Sequence, residues 1–257
     1  MKAMIFAAGL GTRLLPLTNK IPKALVTING KPAIEWLLMR LIKTGITQII
    51  INVHHFADKV IDFINQNHSF GIDISFSDER EMLLDTGGGL KKAAWFFDDN
   101  QPFLVHNADI LSNINITEML AFHKQNKALA TLFIQKRITS RYLIFDEEKQ
   151  LTGWKNTKTS EVILARKNAT NTEDFAFNGI QIIEPGIFTL MQQEGKFSII
   201  ETYLQLAKSH RIFGYDPKNI SWMDIGKAEN LPQANLLAHH LYGQSLPNNA
   251  SISSMKQ

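Results

Sequence analysis

Residues 2–16 read KAMIFAAGLGTRLLP, a short apolar run that breaks at glycine, Thr and Arg. Lys2–Ala7 has the character of a buried strand. A strand that stops at Gly9-Leu10-Gly11-Thr12-Arg13 presents backbone N–H groups at the carboxyl end of a sheet, where open α/β sheets bind ligands. Glycine lets the backbone come close to an anion. Thr12 adds a hydroxyl, and Arg13 adds a planar fork that grips phosphate oxygens in pairs. Pro22-Lys23, a few residues on, supplies a mobile point charge. The stretch is neither of the two common phosphate fingerprints. Leu14 stands where a dinucleotide site has its third glycine, and no Gly-Lys-Ser/Thr follows as in a P-loop.

Working outward, apolar strands alternate with helical patterns. Pro32–Lys43 predicts a helix with Ile34, Leu37, Leu38, Leu41 and Ile42 on one face, and Pro32 suits its first turn. Gln48–Val53 is a second strand, Phe56–Asn67 an amphipathic helix, and Ile72–Ser77 a third strand. Thr86–Phe97 predicts a helix led by a glycine run, and Phe103–Val105 is another strand. Such alternation predicts βαβ units and an α/β class: a Rossmann-like three-layer α/β/α domain with a mainly parallel central sheet. The second half is more broken. Tyr142–Phe145, Leu151–Trp154, Val162–Ala165, Phe175–Ile183 and Arg211–Tyr215 read as strands; Pro185–Gln193, Ile199–Ser209 and Lys227–Leu241 read as helices. Residues 1–243 are expected to form one domain with a substrate-binding excursion within about 140–215. The Ser/Asn-rich end, 244–257, is expected to be a flexible tail.

Composition narrows the function classes. The 257 residues are 44% hydrophobic and 20% charged, an ordinary globular balance. Lys+Arg minus Asp+Glu is 27 − 24 = +3, too small an excess to point to nucleic acid. The absence of cysteine excludes disulfides, thiol catalysis and Cys-based zinc sites. No apolar run reaches the length of a membrane span, and no secretory pattern opens the chain, so a cytoplasmic location is expected. His54-His55 and His239-His240 read as incidental surface pairs. Neither a His-Glu-x-x-His zinc motif nor a Gly-x-Ser-x-Gly elbow occurs. Asn168-Ala169-Thr170 matches a glycosylation sequon, inert in a chain without a signal peptide. Asp98-Asp99 reads as a solvated turn.

Two carboxylates stand out on placement. Asp109 follows Phe103-Leu104-Val105, so it is expected at a strand's carboxyl end beside the glycine loop. Asp224 follows the strand-like Ile220–Met223. Two carboxylates from distant sequence, with substrate phosphates completing the shell, suit Mg²⁺. Thr86-Gly87-Gly88-Gly89 at a helix start leaves space for a planar base or ribose against the backbone.

AAGLGTRLLPLTNKIPKAL, residues 7–25, resembles the signature of the sugar-phosphate nucleotidylyltransferases, and looser similarity runs through about residues 1–240. Leu84–Gly89 resembles the family's nucleotide-binding glycine segment, and His106–Asp109 its first metal-binding Asp. Phe177-Asn178-Gly179-Ile180 is similar to the sugar-contacting segment, and Trp222–Gly226 to the second metal-binding Asp. Ala108 departs from the pattern, where glycine usually precedes the Asp. Chain size and the Thr-Gly-Gly-Gly run look most like the N-acetylmuramate-1-phosphate uridylyltransferases, with mannose-1-phosphate guanylyltransferases next.

The resemblance implies transfer of a nucleoside monophosphate from an NTP to a sugar 1-phosphate. It implies Lys23 at the reacting phosphates, Arg13 at the departing pyrophosphate, and Asp109 with Asp224 on Mg²⁺. Ala8, Gly9, Gly11 and Thr12 would cradle phosphate, Gly87 and Gly88 the nucleoside, and Asn178 and Gly179 the sugar. A catalytically silent sensing subunit is disfavoured because Arg13, Lys23, Asp109 and Asp224 are all present. A glycosyltransferase lacks an Asp-x-Asp after a core strand. The NTP and the sugar phosphate are the expected partners, with no nucleic acid or membrane. Apolar positions on the last helix permit a homo-oligomer.

Overall fold

The computed structural model describes residues 1–166 and 169–242. The sequon Asn168 and the tail at 244–257 lie outside the described residues. In chain order the elements are β1 (Ala3–Phe6), a small pair β2 (Thr27–Ile28) and β3 (Lys31–Pro32), α1 (Ala33–Lys43), β4 (Gln48–Val53), α2 (Ala57–Gln66) and β5 (Asp73–Asp78). There follow α3 (Asp85–Lys92), β6 (Phe103–Asn107), β7 (Ile110–Ser112), α4 (Ile116–Gln125), β8 (Ala130–Gln135), β9 (Arg141–Phe145), β10 (Leu151–Asn156) and β11 (Glu161–Leu164). The last are β12 (Glu173–Ile183), α5 (Ile187–Leu190), α6 (Ile199–Leu206), β13 (Ile212–Tyr215), β14 (Trp222–Asp224) and α7 (Leu231–Tyr242).

Ten strands form the central sheet, ordered β11-β10-β9-β12-β6-β1-β4-β5, with β8 joining β12 and β13. The β6-β1-β4-β5 half is parallel throughout. Long β12 runs antiparallel to β6, β8 and β9, and so turns the sheet into the antiparallel arm of β9, β10 and β11. Alternation along the central strands explains the three layers. Ala3, Ile5, Ile49, Ile51 and Leu104 pack into one core together with Ile34, Leu38 and Leu41 of α1 and Val60 of α2. Met4, Ile50, Phe103 and Val105 pack on the opposite face with Leu90 of α3 and Tyr203 of α6. Strands buried on both faces read as continuous apolar runs, as residues 49–51 do within QIIINV. A third cluster holds α7 against Trp36 and Leu14. No helix of the described residues is long and apolar enough to cross a membrane.

Three readings need correction. The expected helix at Thr86–Phe97 starts one residue earlier and includes the glycines; after Lys92 only a 3-10 turn at Ala94–Phe96 continues it. Pro185–Gln193 yields only the single turn Ile187–Leu190. The stretch 110–135 carries β7, α4 and β8, to which no element was assigned. There α4 begins at an Asn115 cap whose side chain accepts from the Thr117 and Glu118 amides, a local signal of a helix start.

His106 on β6 is fully buried. Its Nδ1–H donates to the Asn107 carbonyl at 2.8 Å, and its Nε2 has no hydrogen-bond partner among the described residues. Burial, aided by the nearby Arg40 charge, pushes the imidazole down to about 3. The unfolded chain therefore takes up a proton near pH 6.5 that the folded chain refuses. Stability from this group is complete above about pH 6.5 and falls, by at most about 1.4 kcal/mol per pH unit, as pH drops toward 3. Urea unfolding across that range should show a shallower pH slope for His106→Phe than for the wild type; equal slopes would contradict it.

Candidate active site

The glycine loop is held from below by one asparagine. Asn52, paired with Phe6 across β1 and β4, accepts from the amides of Ala7 at 2.7 Å and Ala8 at 3.3 Å through Oδ1. Its Nδ2 donates to Glu79 Oε1 at 2.7 Å, and Glu79 Oε2 accepts from the Leu84 amide at 3.0 Å. A buried carboxylate thus ties the loop after β1 to the loop before α3. Gly11 adopts φ +68°, and a Cβ there would meet Thr18 Cγ2 at 2.8 Å, so the turn itself requires glycine. Gly9 differs: a Cβ there would meet nothing.

Beyond the loop, Lys23 is the meeting point of two carboxylates. Its Nζ contacts Asp109 Oδ2 directly and lies 3.8 Å from Asp224 Oδ1. Arg13 Nη2 approaches Asp224 Oδ2 at 3.5 Å. Asp109 sits in the turn between β6 and β7, and Asp224 on β14, which pairs with β7 opposite Ile110. Asp224 Oδ1 also accepts from the Gly226 amide at 2.6 Å. Burial raises Asp109 above the usual carboxylate range, with Lys23 pulling the other way and Asp224 adding to the rise. Asp224 is also penalised by burial, but Lys23, the Gly226 amide and Arg13 outweigh that and hold it below. Gly226 leaves the space these groups use. A Cβ there would fall 2.4 Å from Lys23 Nζ and 2.9 Å from Arg13 Nη2.

Two clefts open on this cluster. One, of about 350 Å³, is lined by Ala8, Gly9, Lys23, Asn52, Glu79, Asp85, Thr86 and Lys196. The other, of about 870 Å³, is lined by Arg13, Arg137, Lys158, Asn178, Gly179, Trp222, Asp224 and Lys227. Both share Asn107 and Asp109.

A family model described as Nucleotidyl transferase matches residues 2–240. The chain belongs to the nucleotidyl transferase family. It is 31% identical to an N-acetylmuramate alpha-1-phosphate uridylyltransferase of Caulobacter vibrioides, covering 92% of this chain and 94% of that one. It is 30% identical to a UTP–glucose-1-phosphate uridylyltransferase of Synechocystis, covering 91% of this chain but only 62% of the relative. In fold it is similar to HddC from Yersinia pseudotuberculosis complexed with GMP-PN, at TM-score 0.70 and 22% identity, over 91% of this chain and 98% of that one.

Not every residue singled out from the family signature faces a cleft through its side chain. Thr12 is exposed on a 3-10 turn. Gly87 and Gly88 lie in the first turns of α3 rather than in a loop, and both amides donate to the Phe197 carbonyl. Their missing Cβ atoms make room for the protein itself: the Phe197 ring stands 2.4 Å from one and the Gly195 carbonyl 2.1 Å from the other. Asn178 lines the second cleft, yet its Oδ1 accepts from Arg137 Nε at 2.9 Å and its Nδ2 donates to Gln135 at 2.9 Å. Gly179, at φ +74°, lets Asn107 pack where a Cβ would be. Sequence reasoning missed Asn52, Glu79, Arg137 and Lys196. A polar residue inside the apolar run QIIINV marks the first, and a basic pair after the apolar ATLFIQ marks Arg137.

Two glycines separate packing from chemistry. Gly88→Ala drives a methyl into a backbone carbonyl and should cost about 1–3 kcal/mol of stability. Gly226→Ala displaces only the ends of flexible side chains and should keep its melting temperature within a few degrees while losing turnover. Thermal unfolding beside initial rates checks both, and an active Gly226→Ala enzyme would contradict the role given to that space.

Proposed function

We propose that this chain transfers a nucleoside monophosphate from an NTP to a sugar 1-phosphate, releasing pyrophosphate, with UTP and N-acetylmuramate 1-phosphate as the pair. The observation that carries the reading is the junction of two clefts at Asn107 and Asp109, with one ammonium shared by Asp109 and Asp224. A reaction that joins two phosphorylated substrates needs two sites that meet at a cation fixed in place. The Caulobacter relative, matched over nearly its full length, supports the choice of substrates.

The acceptor phosphate is its own nucleophile. With a second pKa near 6 it is largely dianionic at neutral pH, so no general base is needed. Lys23 neutralises the phosphates as they approach, and its contacts with two carboxylates fix the ammonium before substrate arrives. Arg13, half-exposed at the mouth of the second cleft, takes the departing pyrophosphate, while Ala8, Gly9, Gly11 and Thr12 form the turn against which the NTP phosphates lie. The nucleoside occupies the first cleft at the start of α3, in the region of Asp85 and Thr86, with Gly87 and Gly88 allowing that helix to seat against residues 195–197. Asn178 and Gly179 shape the wall facing the sugar.

Among the described residues no group of three or more His, Asp or Glu side chains converges as a metal site. Two oxygen ligands already converging on one cation nevertheless fit Mg²⁺, which keeps water and substrate oxygens in most of its shell. Asp109 and Asp224 would hold it, and when bound it would offset charge building on the transferring phosphate.

Pyrophosphate release from UTP or GTP, with N-acetylmuramate 1-phosphate or mannose 1-phosphate, tests the assignment. UTP with the muramate acceptor should win, and EDTA should abolish turnover; a tenfold preference for GTP with mannose 1-phosphate would retire the uridylyl choice. Lys23→Ala should lower kcat by roughly 100-fold. With its side chain only 13% exposed, removing the ammonium also leaves two carboxylates facing each other, so the variant should melt lower than the wild type. A normal rate would move the charge role elsewhere.

A further inference from the structure

Arg137 follows β8 and sits over the Trp222 indole, its guanidinium carbon 4.1 Å from the ring centre. Its Nε donates to Asn178 Oδ1 and its Nη2 to the Phe177 carbonyl, each at 2.9 Å. Those bonds lock the plane of the guanidinium. Nη1 makes no hydrogen bond among the described residues, and no carboxylate there comes within ion-pair distance of this side chain. Burial works against its charge, and Asp224 and Tyr142 only partly offset that. A desolvated cation without a counter-ion is costly, and it is normally paired. Arg137 lines the larger cleft, so the partner it lacks can arrive with the ligand.

The rest of the cleft strengthens this reading. Arg13, Lys158 and Lys227 line it too, while its two carboxylates, Asp109 and Asp224, are engaged by Lys23. Lys227 is itself paired with Glu229 and Arg13 approaches Asp224, which leaves Arg137 and Lys158 as the lining cations with no ion pair among the described residues. Trp222 and Asp224 are alternate residues of β14, so they share a face about 7 Å apart along the strand. Arg137 on the indole therefore stands about one substituted sugar ring beyond the carboxylate at the reacting end.

We infer that Arg137 is a specificity residue that pairs with a carboxylate carried by the sugar, making the acceptor an acidic sugar 1-phosphate. The inference rests on the transferase reading above and adds which group of the acceptor is recognised and by what. A planar carboxylate matches the free edge of a fixed guanidinium better than a hydroxyl does. N-acetylmuramate 1-phosphate meets the requirement through its lactyl ether, and a hexuronate 1-phosphate meets it at another ring position.

The test compares acceptors with and without the substituent that carries the carboxylate. Pyrophosphate release is measured with UTP and N-acetylmuramate 1-phosphate against N-acetylglucosamine 1-phosphate, and with glucuronate 1-phosphate against glucose 1-phosphate. In the wild type at least one carboxylated acceptor should exceed its uncharged partner by about 100-fold or more in kcat/KM. Arg137→Gln should shrink that ratio to below about tenfold, mainly through KM, and Arg137→Lys should recover part of it. A wild type indifferent to the carboxylate overturns the inference, whether or not the variants fold. So does an Arg137→Gln enzyme that loses equally on both members of a pair, for Arg137 would then be only a strut for Asn178. Pyrophosphate from uncharged acceptors alone overturns the carboxylate while leaving the transferase standing; no pyrophosphate from any acceptor and NTP removes both.

Discussion

One lysine sets the terms for the whole site. Lys23 holds its ammonium against Asp109 and 3.8 Å from Asp224, residues separated by more than a hundred positions in sequence. Opposite unit charges at about 4 Å interact by about 4 kcal/mol near a protein surface, so the cation, with the Gly226 amide and Arg13, outweighs what Asp224 loses by burial and offsets part of what Asp109 loses. Without it, two like charges would face each other at the bottom of a cleft. The same pairing that holds the cluster together fixes the ammonium where the two clefts meet.

Each part of the fold is placed by that pairing. Asp109 reaches the cluster because central β6 ends two residues earlier, and Asp224 because β14 pairs with β7 immediately beyond. Lys23 is brought in by the loop that β1 discharges, whose first amides Asn52 holds to the neighbouring strand. Space is kept by Gly226, which has no Cβ to push Lys23 and Arg13 aside. The parallel half of the sheet thereby supplies the wall of the smaller cleft. The strand β12, running antiparallel against β6, carries Asn178 and Gly179 to the other side of Asp109.

Much of this was legible in the residues. The runs KAMIFA and QIIINV predict two strands of a mainly parallel sheet, and they pair in parallel. Asp109 and Asp224 were separable from other acids by what precedes them. What stayed hidden depended on contacts between distant segments. The glycines at 87 and 88 look alike in sequence whether they admit a base or a neighbouring chain, and only the docking of residues 195–197 tells which atoms fill their space. Asn178 reads as a ligand contact until its two hydrogen bonds to Gln135 and Arg137 are seen. Arg137 itself follows β8 in a basic pair, but that no carboxylate of the described residues pairs with it is a three-dimensional property. The short turn at Ile187–Leu190 was overextended because apolar Met191 fits a helical spacing, although its backbone is already extended.

The central claim, that Lys23 and the carboxylates act as one unit, is tested most directly by a double-mutant cycle. Turnover is measured at fixed, saturating Mg²⁺ for the wild type, Lys23→Ala, Asp224→Asn and the double variant. Residues that work as a unit are strongly non-additive, so the double variant should lose little more than the worse single one. A double variant whose loss equals the product of the two single losses would show independent residues, and would contradict the account.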